Sequence, residues 1–137
     1  MMRIMTKSMT LCLLVVTACI NWGNPVEKVA PANGPQGARV AIRLCSENTD
    51  RVGELFAVDS IGVTVREARL IRVSWAKLAA MDVKNMGSAY DIGLGETVTA
   101  GKRATLAPLS RFPQGLSGDL LRAVLSTLGQ VALEEVR

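Results

Sequence analysis

The chain has 137 residues, of which 49% are hydrophobic and 4% aromatic, and its formal net charge is +4. This mild charge, spread over the whole chain, argues against a nucleic-acid-binding surface. The sequence contains no histidine, which excludes His-based triads and His zinc sites and removes the commonest general base. No pair of carboxylates stands out at a catalytic spacing. The composition therefore predicts a protein that is not an enzyme and that needs no cofactor or metal.

Residues 1–18 have the pattern of a secretory signal peptide. Arg3 and Lys7 form a positive n-region, and an apolar stretch follows over residues 9–18. This stretch is too short to span a membrane, which takes roughly 20 apolar residues. The stretch ends in the sequence Val-Thr-Ala-Cys at residues 16–19. An ordinary secretory signal, or a buried core segment, would place a cysteine there only by chance.

Residues 16–19 resemble the lipobox of bacterial lipoproteins, in which an aliphatic residue and a small residue precede Ala and Cys. The resemblance implies cleavage between Ala18 and Cys19 and attachment of lipid, including palmitate, to the Cys19 thiol. Two or three acyl chains hold a protein stably on a membrane, where one chain holds it only marginally. Ile20 after the cysteine resembles the outer-membrane sorting pattern. The expected location is a bacterial cell envelope, at the outer membrane facing the periplasm if the cell has two membranes.

Residues 19–37 predict a flexible, lipid-anchored tether. The segment contains Pro25, Pro31 and Pro35 along with several glycines, and it has no regular period. Such a composition favours an irregular and partly extended chain. Trp22 lies close to the anchor, where it would rest in the membrane interface or be an ordinary linker aromatic.

Residues 38–83 predict five short strands. Val40, Ile42 and Leu44 alternate with other residues at a period of two, and similar runs occupy residues 52–58, 61–65, 71–75 and 78–83. Polar turns separate the runs, and a one-turn helix is expected near residues 75–77. Gly53 interrupts the second run, where a bulge or bend is expected. Short strands at this regular spacing are typical of a small barrel or sandwich.

The same stretch resembles the Sm-like and SH3-like small barrels. The Sm pattern has Gly-x-Leu in a strand and an Asp four residues after the Leu, here Gly53, Leu55 and Asp59. The resemblance implies a fold that is mainly β, a small five-stranded antiparallel barrel followed by a C-terminal α-helix. RNA-binding Sm proteins carry an Asn shortly after the Asp, whereas this chain has Gly62 and Val63 there. The resemblance therefore supports the barrel and weakens RNA binding.

Residues 85–107 are rich in glycine and predict a long loop or a pair of short strands at residues 90–94 and 97–100. The segment from Gly95 to Arg103 has the look of a phosphate-binding loop. One residue too many separates Gly95 from Gly101, and Arg103 stands where a Ser or Thr would hold magnesium. The sequence therefore predicts no phosphate site there.

Residues 117–128 predict an amphipathic helix that lies over one face or open end of the barrel. Ser117 is a favourable N-cap and Gly129 a favourable C-terminal stop. Apolar residues recur at helical spacing along one face, namely Leu120, Leu121, Val124, Leu125 and Leu128. Together with the strands, this helix defines a single domain over residues 38–137.

Cys45 is left alone once Cys12 leaves with the signal and Cys19 is lipidated, so no internal disulfide is expected. The expected function is that of a lipid-anchored cell-envelope protein, a non-enzymatic interaction or structural module. The alternative is an Sm-like ligand- or nucleic-acid-binding domain. The expected partners are the membrane, through Cys19, and a second envelope protein.

Overall fold

The structure, a computed structural model, describes residues 36–136, so the signal peptide, Cys19 and most of the tether lie outside the described residues. The described part is mainly β. The strands are β1 (Arg39–Leu44), β2 (Asp50–Val58), β3 (Gly62–Arg66), β4 (Leu70–Ser74), β5 (Leu78–Val83) and β6 (Glu134–Glu135). The helices are α1 (Ala100–Leu106) and α2 (Gly118–Thr127), with short 3-10 helices at Ser88–Tyr90 and Ala107–Leu109.

The strands form one mixed sheet in the order β5-β1-β2-β3-β4-β6. Neighbours from β5 to β4 are antiparallel, and β6 runs parallel to β4. The five predicted strands are confirmed, and each contributes buried apolar residues to the core. The closed five-stranded antiparallel barrel is not confirmed, since the sheet is open, with β5 and β6 at its two ends. Residues 75–77 form a turn in which the Lys77 N–H donates to the Ser74 carbonyl.

The predicted irregularity in the second strand is present, a few residues beyond Gly53. The register between β2 and β3 shifts between Leu55 and Ala57. Gly53 instead permits a close approach of the two strands, because a Cβ there would lie 2.7 Å from the Arg66 carbonyl oxygen. Leu55 and Phe56, as neighbours in a strand, point to opposite faces and lie in separate hydrophobic clusters.

The main core lies on one face of the sheet. It is closed by Ile92, by Leu106 at the end of α1, and by Leu109 in the following 3-10 helix. Helix α1 corrects the prediction of a loop or strand pair over residues 85–107. The Thr99 hydroxyl accepts a hydrogen bond from the Lys102 N–H at 3.2 Å and so caps the helix. Buried residues from all five long strands contribute to this core, namely Val40, Ile42, Leu44, Leu55, Val58, Val63, Val65, Ile71, Val73, Leu78, Met81 and Val83.

The predicted C-terminal helix is confirmed as α2. The Ser117 hydroxyl caps it by accepting from the Leu120 N–H at 3.3 Å, and Gly129 ends it with a positive φ of 66°. The helix does not cover the main core. It packs on a second, smaller cluster whose buried members are Phe56, Leu70 and Leu125. Phe112, Leu116, Leu121, Val124, Leu128 and Leu133 surround this cluster and are partly buried.

The outer edge of β4 is covered by the C-terminal segment. Gln130 is buried, and its side-chain amide pairs with the Leu70 backbone as a neighbouring strand would. Its Oε1 accepts from the Leu70 N–H at 2.9 Å, and its Nε2 donates to the Leu70 carbonyl at 2.8 Å. Strand β6 continues the pairing at Ile71 and Arg72.

Candidate functional site

The point where the predicted tether joins the domain is held by a partly buried ion pair. Arg111 donates to the Glu54 carboxylate from Nε at 2.6 Å and from Nη2 at 3.0 Å, and the Gly37 N–H donates to the same carboxylate at 2.8 Å. The Glu54 side chain is only 16% exposed. We call this arrangement the Glu54–Arg111 clamp. Two parallel hydrogen bonds to a carboxylate are among the strongest polar contacts in proteins.

Backbone contacts reinforce the clamp. The Ala38 N–H donates to the Leu109 carbonyl, and the Leu55 N–H donates to the Ala38 carbonyl, both at 2.8 Å. Gly37 has no room for a side chain, because a Cβ there would lie 1.9 Å from the Leu55 carbonyl oxygen. Gly37 is therefore fixed beside β2.

A cavity of about 400 Å³ opens where the β2–β3 turn, strands β3 and β4, and the start of α2 meet. We call it the Arg72 cleft. Its polar lining comes from Asp59, Thr64, Arg72, Gln114 and Ser117, and its apolar lining includes Ala57, Val58 and Leu116. These residues lie far apart in the sequence. Only the fold brings them together.

Strand pairing and a polar turn position the charged groups of the cleft. Thr64 and Arg72 are direct partners across β3 and β4. Asp59 Oδ1 accepts from the Ile61 and Gly62 N–H groups at 2.7 and 2.9 Å, as expected for a turn former. The Trp75 indole N–H donates to the Asp59 carbonyl at 3.0 Å and fixes the turn further. Asp59 Oδ2 is left free to face Arg72.

The Arg72 guanidinium is mostly buried and poorly paired. Its side chain is 23% exposed, and its nearest carboxylate oxygens, on Asp59 and Glu135, both lie 3.6 Å away. These gaps exceed hydrogen-bonding distance. Its Nε is fully buried and has no acceptor among residues 36–136. By contrast, the nearby Arg69 side chain is 64% exposed.

Several of the other basic side chains in residues 36–136 are paired with carboxylates. Arg43 pairs with Asp50 at 2.8 Å and Arg51 with Glu67 at 3.0 Å. Lys102, in the segment that looked like a phosphate-binding loop, pairs with Glu96 at 3.3 Å and donates to the Ala89 carbonyl. These lysine and arginine side chains are thus neutralised by neighbours.

Glu96 and Cys45 are two further polar or reactive residues of the described part. The Gly93 N–H, helped by the Lys102 side chain, holds the pKa of the exposed Glu96 carboxyl below its usual value. Cys45 is exposed, with its thiol 3.7 Å from the Ala76 carbonyl oxygen.

Across residues 36–136 no group of three or more His, Cys, Asp or Glu side chains is placed to hold a metal ion. The helices of that range are all too short or too polar to cross a membrane.

No protein family, curated protein or solved structure matches this chain. The clamp and the cleft are therefore interpreted from their own residues. Of the sequence-predicted site residues, Ala18 and Cys19 lie outside the described residues.

Proposed function

We propose that this chain is a lipid-anchored, non-enzymatic binding module of a bacterial cell envelope. The observation that carries the proposal is the lipobox-like sequence at residues 16–19, which follows a basic n-region and a short apolar stretch. Lipid at Cys19 would give stable attachment without a membrane-spanning helix.

The Glu54–Arg111 clamp supports this arrangement. A tether over residues 19–37 that behaves as a flexible coil would hold the domain roughly 20–25 Å from its anchor. The clamp fastens Gly37, the last residue of that tether, to the centre of β2. Under this proposal the tether meets the folded domain at one defined point of β2.

We also propose that the sheet is a member of the Sm-like and SH3-like class of small barrels. The support is the strand order: β1 to β4 follow one another as antiparallel neighbours, and β5 returns to pair with β1. The pairing of basic residues with carboxylates supports a protein or small-molecule partner rather than nucleic acid.

The anchor is tested by comparing the full chain with a Cys19→Ser variant in a bacterium with two membranes. Intact-mass analysis should show acyl chains on Cys19 in the wild-type protein, which should float with membranes in a density gradient. Cys19→Ser should remain unprocessed or appear in the soluble periplasmic fraction. Cys45→Ser is the matched control, because that exposed thiol lies in the folded domain, and it should fractionate as the wild type does. An unmodified Cys19 in the mature wild-type protein would refute the proposal.

A further inference from the structure

We propose that the Arg72 cleft is a binding site for a small zwitterion of the α-amino acid type, whose carboxylate contacts Arg72 and whose ammonium contacts Asp59. The proposal concerns the folded domain only. It does not depend on the lipid anchor, so either proposal can fail without the other.

Arg72 has unused hydrogen-bonding capacity. A guanidinium carries five N–H donors in a planar fork that matches a carboxylate. Here the guanidinium donates no hydrogen bond to any residue of the described range, and its two carboxylate neighbours stand 3.6 Å away. A charged donor group that is mostly removed from water and lacks acceptors is costly. A ligand carboxylate would supply the missing acceptors.

The charge around Arg72 favours a zwitterion over a simple anion. Asp59 and Glu135 flank the guanidinium, so these three groups together carry one net negative charge. A simple anion would be attracted by Arg72 and repelled by the two carboxylates. A zwitterion avoids this repulsion, because its ammonium would face Asp59 Oδ2 while its carboxylate faces the guanidinium. Asp59 Oδ1 is held by two backbone N–H groups, which leaves Oδ2 for this role.

The size and lining of the cavity suit a small amino acid. A volume of about 400 Å³ lies within the usual range for small-molecule pockets. Thr64 is buried at its wall. Ala57, Val58 and Leu116 provide apolar surface for a short side chain. The lining therefore suits an amino acid with a small apolar side chain better than it suits a bare ion.

Alanine, propionate and ethylamine form a matched set of probes for this proposal. Propionate lacks the ammonium of alanine, and ethylamine lacks its carboxylate. Isothermal titration calorimetry on the full chain in a mild detergent should show binding of alanine. Propionate and ethylamine should each bind with an affinity at least roughly tenfold lower than that of alanine. Inorganic phosphate should not compete. Absence of alanine binding, or equal binding of propionate or phosphate, would overturn the proposal.

Substitutions assign the two charges. Arg72→Lys keeps the charge but loses the fork, and it should weaken alanine binding by roughly tenfold or more. Asp59→Asn keeps the Oδ1 acceptor of the turn and removes only the charge, so it should weaken alanine binding and leave or improve propionate binding. Arg69→Gln is the matched control and should bind alanine as the wild type does.

Circular dichroism should verify that each variant keeps the wild-type fold. If Arg72→Lys is misfolded, the Asp59→Asn comparison decides by itself. Equal loss of alanine and propionate binding in Asp59→Asn would contradict the zwitterion assignment.

Discussion

Replacing Leu125 with alanine tests whether α2 is an integral part of the folded domain. Leu125 is 6% exposed and packs with Phe56 and Leu70 beneath the helix. Truncation of a buried leucine to alanine typically costs about 2–5 kcal/mol of unfolding free energy. The low end applies here, since the cluster is small and its surrounding residues are only partly buried. A loss of about 2 kcal/mol should lower the melting temperature by about 8–16 °C in a domain of this size.

Two other leucines calibrate the measurement. Leu120 lies on the same helix but is 36% exposed, so Leu120→Ala should change the unfolding free energy by less than about 1 kcal/mol. Leu106 is fully buried in the main core, and Leu106→Ala should cost more than Leu125→Ala, about 3–5 kcal/mol. The order Leu106, Leu125, Leu120 follows directly from the packing.

Thermal unfolding of the full chain, followed by circular dichroism, measures all three variants under the same conditions. The competing interpretation is that α2 is an arm that becomes buried only against a partner. Under that interpretation, Leu125→Ala would melt like Leu120→Ala, and copurification of a partner would be lost instead. A melting temperature for Leu125→Ala within 2 °C or so of the wild-type value would refute the packing argument.

Two further predictions follow from single hydrogen-bonding groups. Gln130→Ala leaves the Leu70 N–H and carbonyl without their hydrogen-bond partners. It should lower the unfolding free energy measured in urea by about 1–3 kcal/mol. The control Gln114→Ala, in an exposed loop, should change this free energy little. In an NMR titration, the Glu96 carboxyl should protonate at a lower pH than an ordinary glutamate, because the Gly93 N–H and Lys102 favour its charged form. The corresponding small stabilisation of the fold is present above the unfolded-state pKa and is lost as the pH falls through the lower folded-state pKa. In Lys102→Met the pKa of Glu96 should rise. An unchanged Glu96 titration in this variant would contradict the assignment.

The strands and α2 could be predicted from the sequence because each has a strong apolar period. Alternation at a period of two marks Val40, Ile42 and Leu44, and a helical period marks the leucines of residues 117–128. Helix α1 has no comparable signal, since Leu106 is its only buried residue and Gly101 lies in its first turn. Its burial depends on the position of the sheet, which no local pattern encodes.

The Arg72 cleft could not be predicted for a related reason. Arg72 occupies an alternating position that reads as solvent-facing, and Gln114 and Ser117 are common loop residues. Their proximity depends on how the loop after α1 returns to the bulged part of β2, where the Arg111 N–H pairs with the Leu55 carbonyl. Gln130 was missed similarly, because a polar residue after a helix predicts exposure rather than a buried edge contact.

The covered sheet edges have a consequence for aggregation. Open strand edges recruit strands from other molecules, a hazard that rises with local concentration. Along β4, Gln130 and β6 occupy the outward backbone groups. Along β5, Met81 exchanges both backbone hydrogen bonds with Ile92, and the Val83 N–H donates to the Asp91 carboxylate. A protein held on a membrane is concentrated in two dimensions, and these contacts would keep neighbouring copies from joining through their sheets.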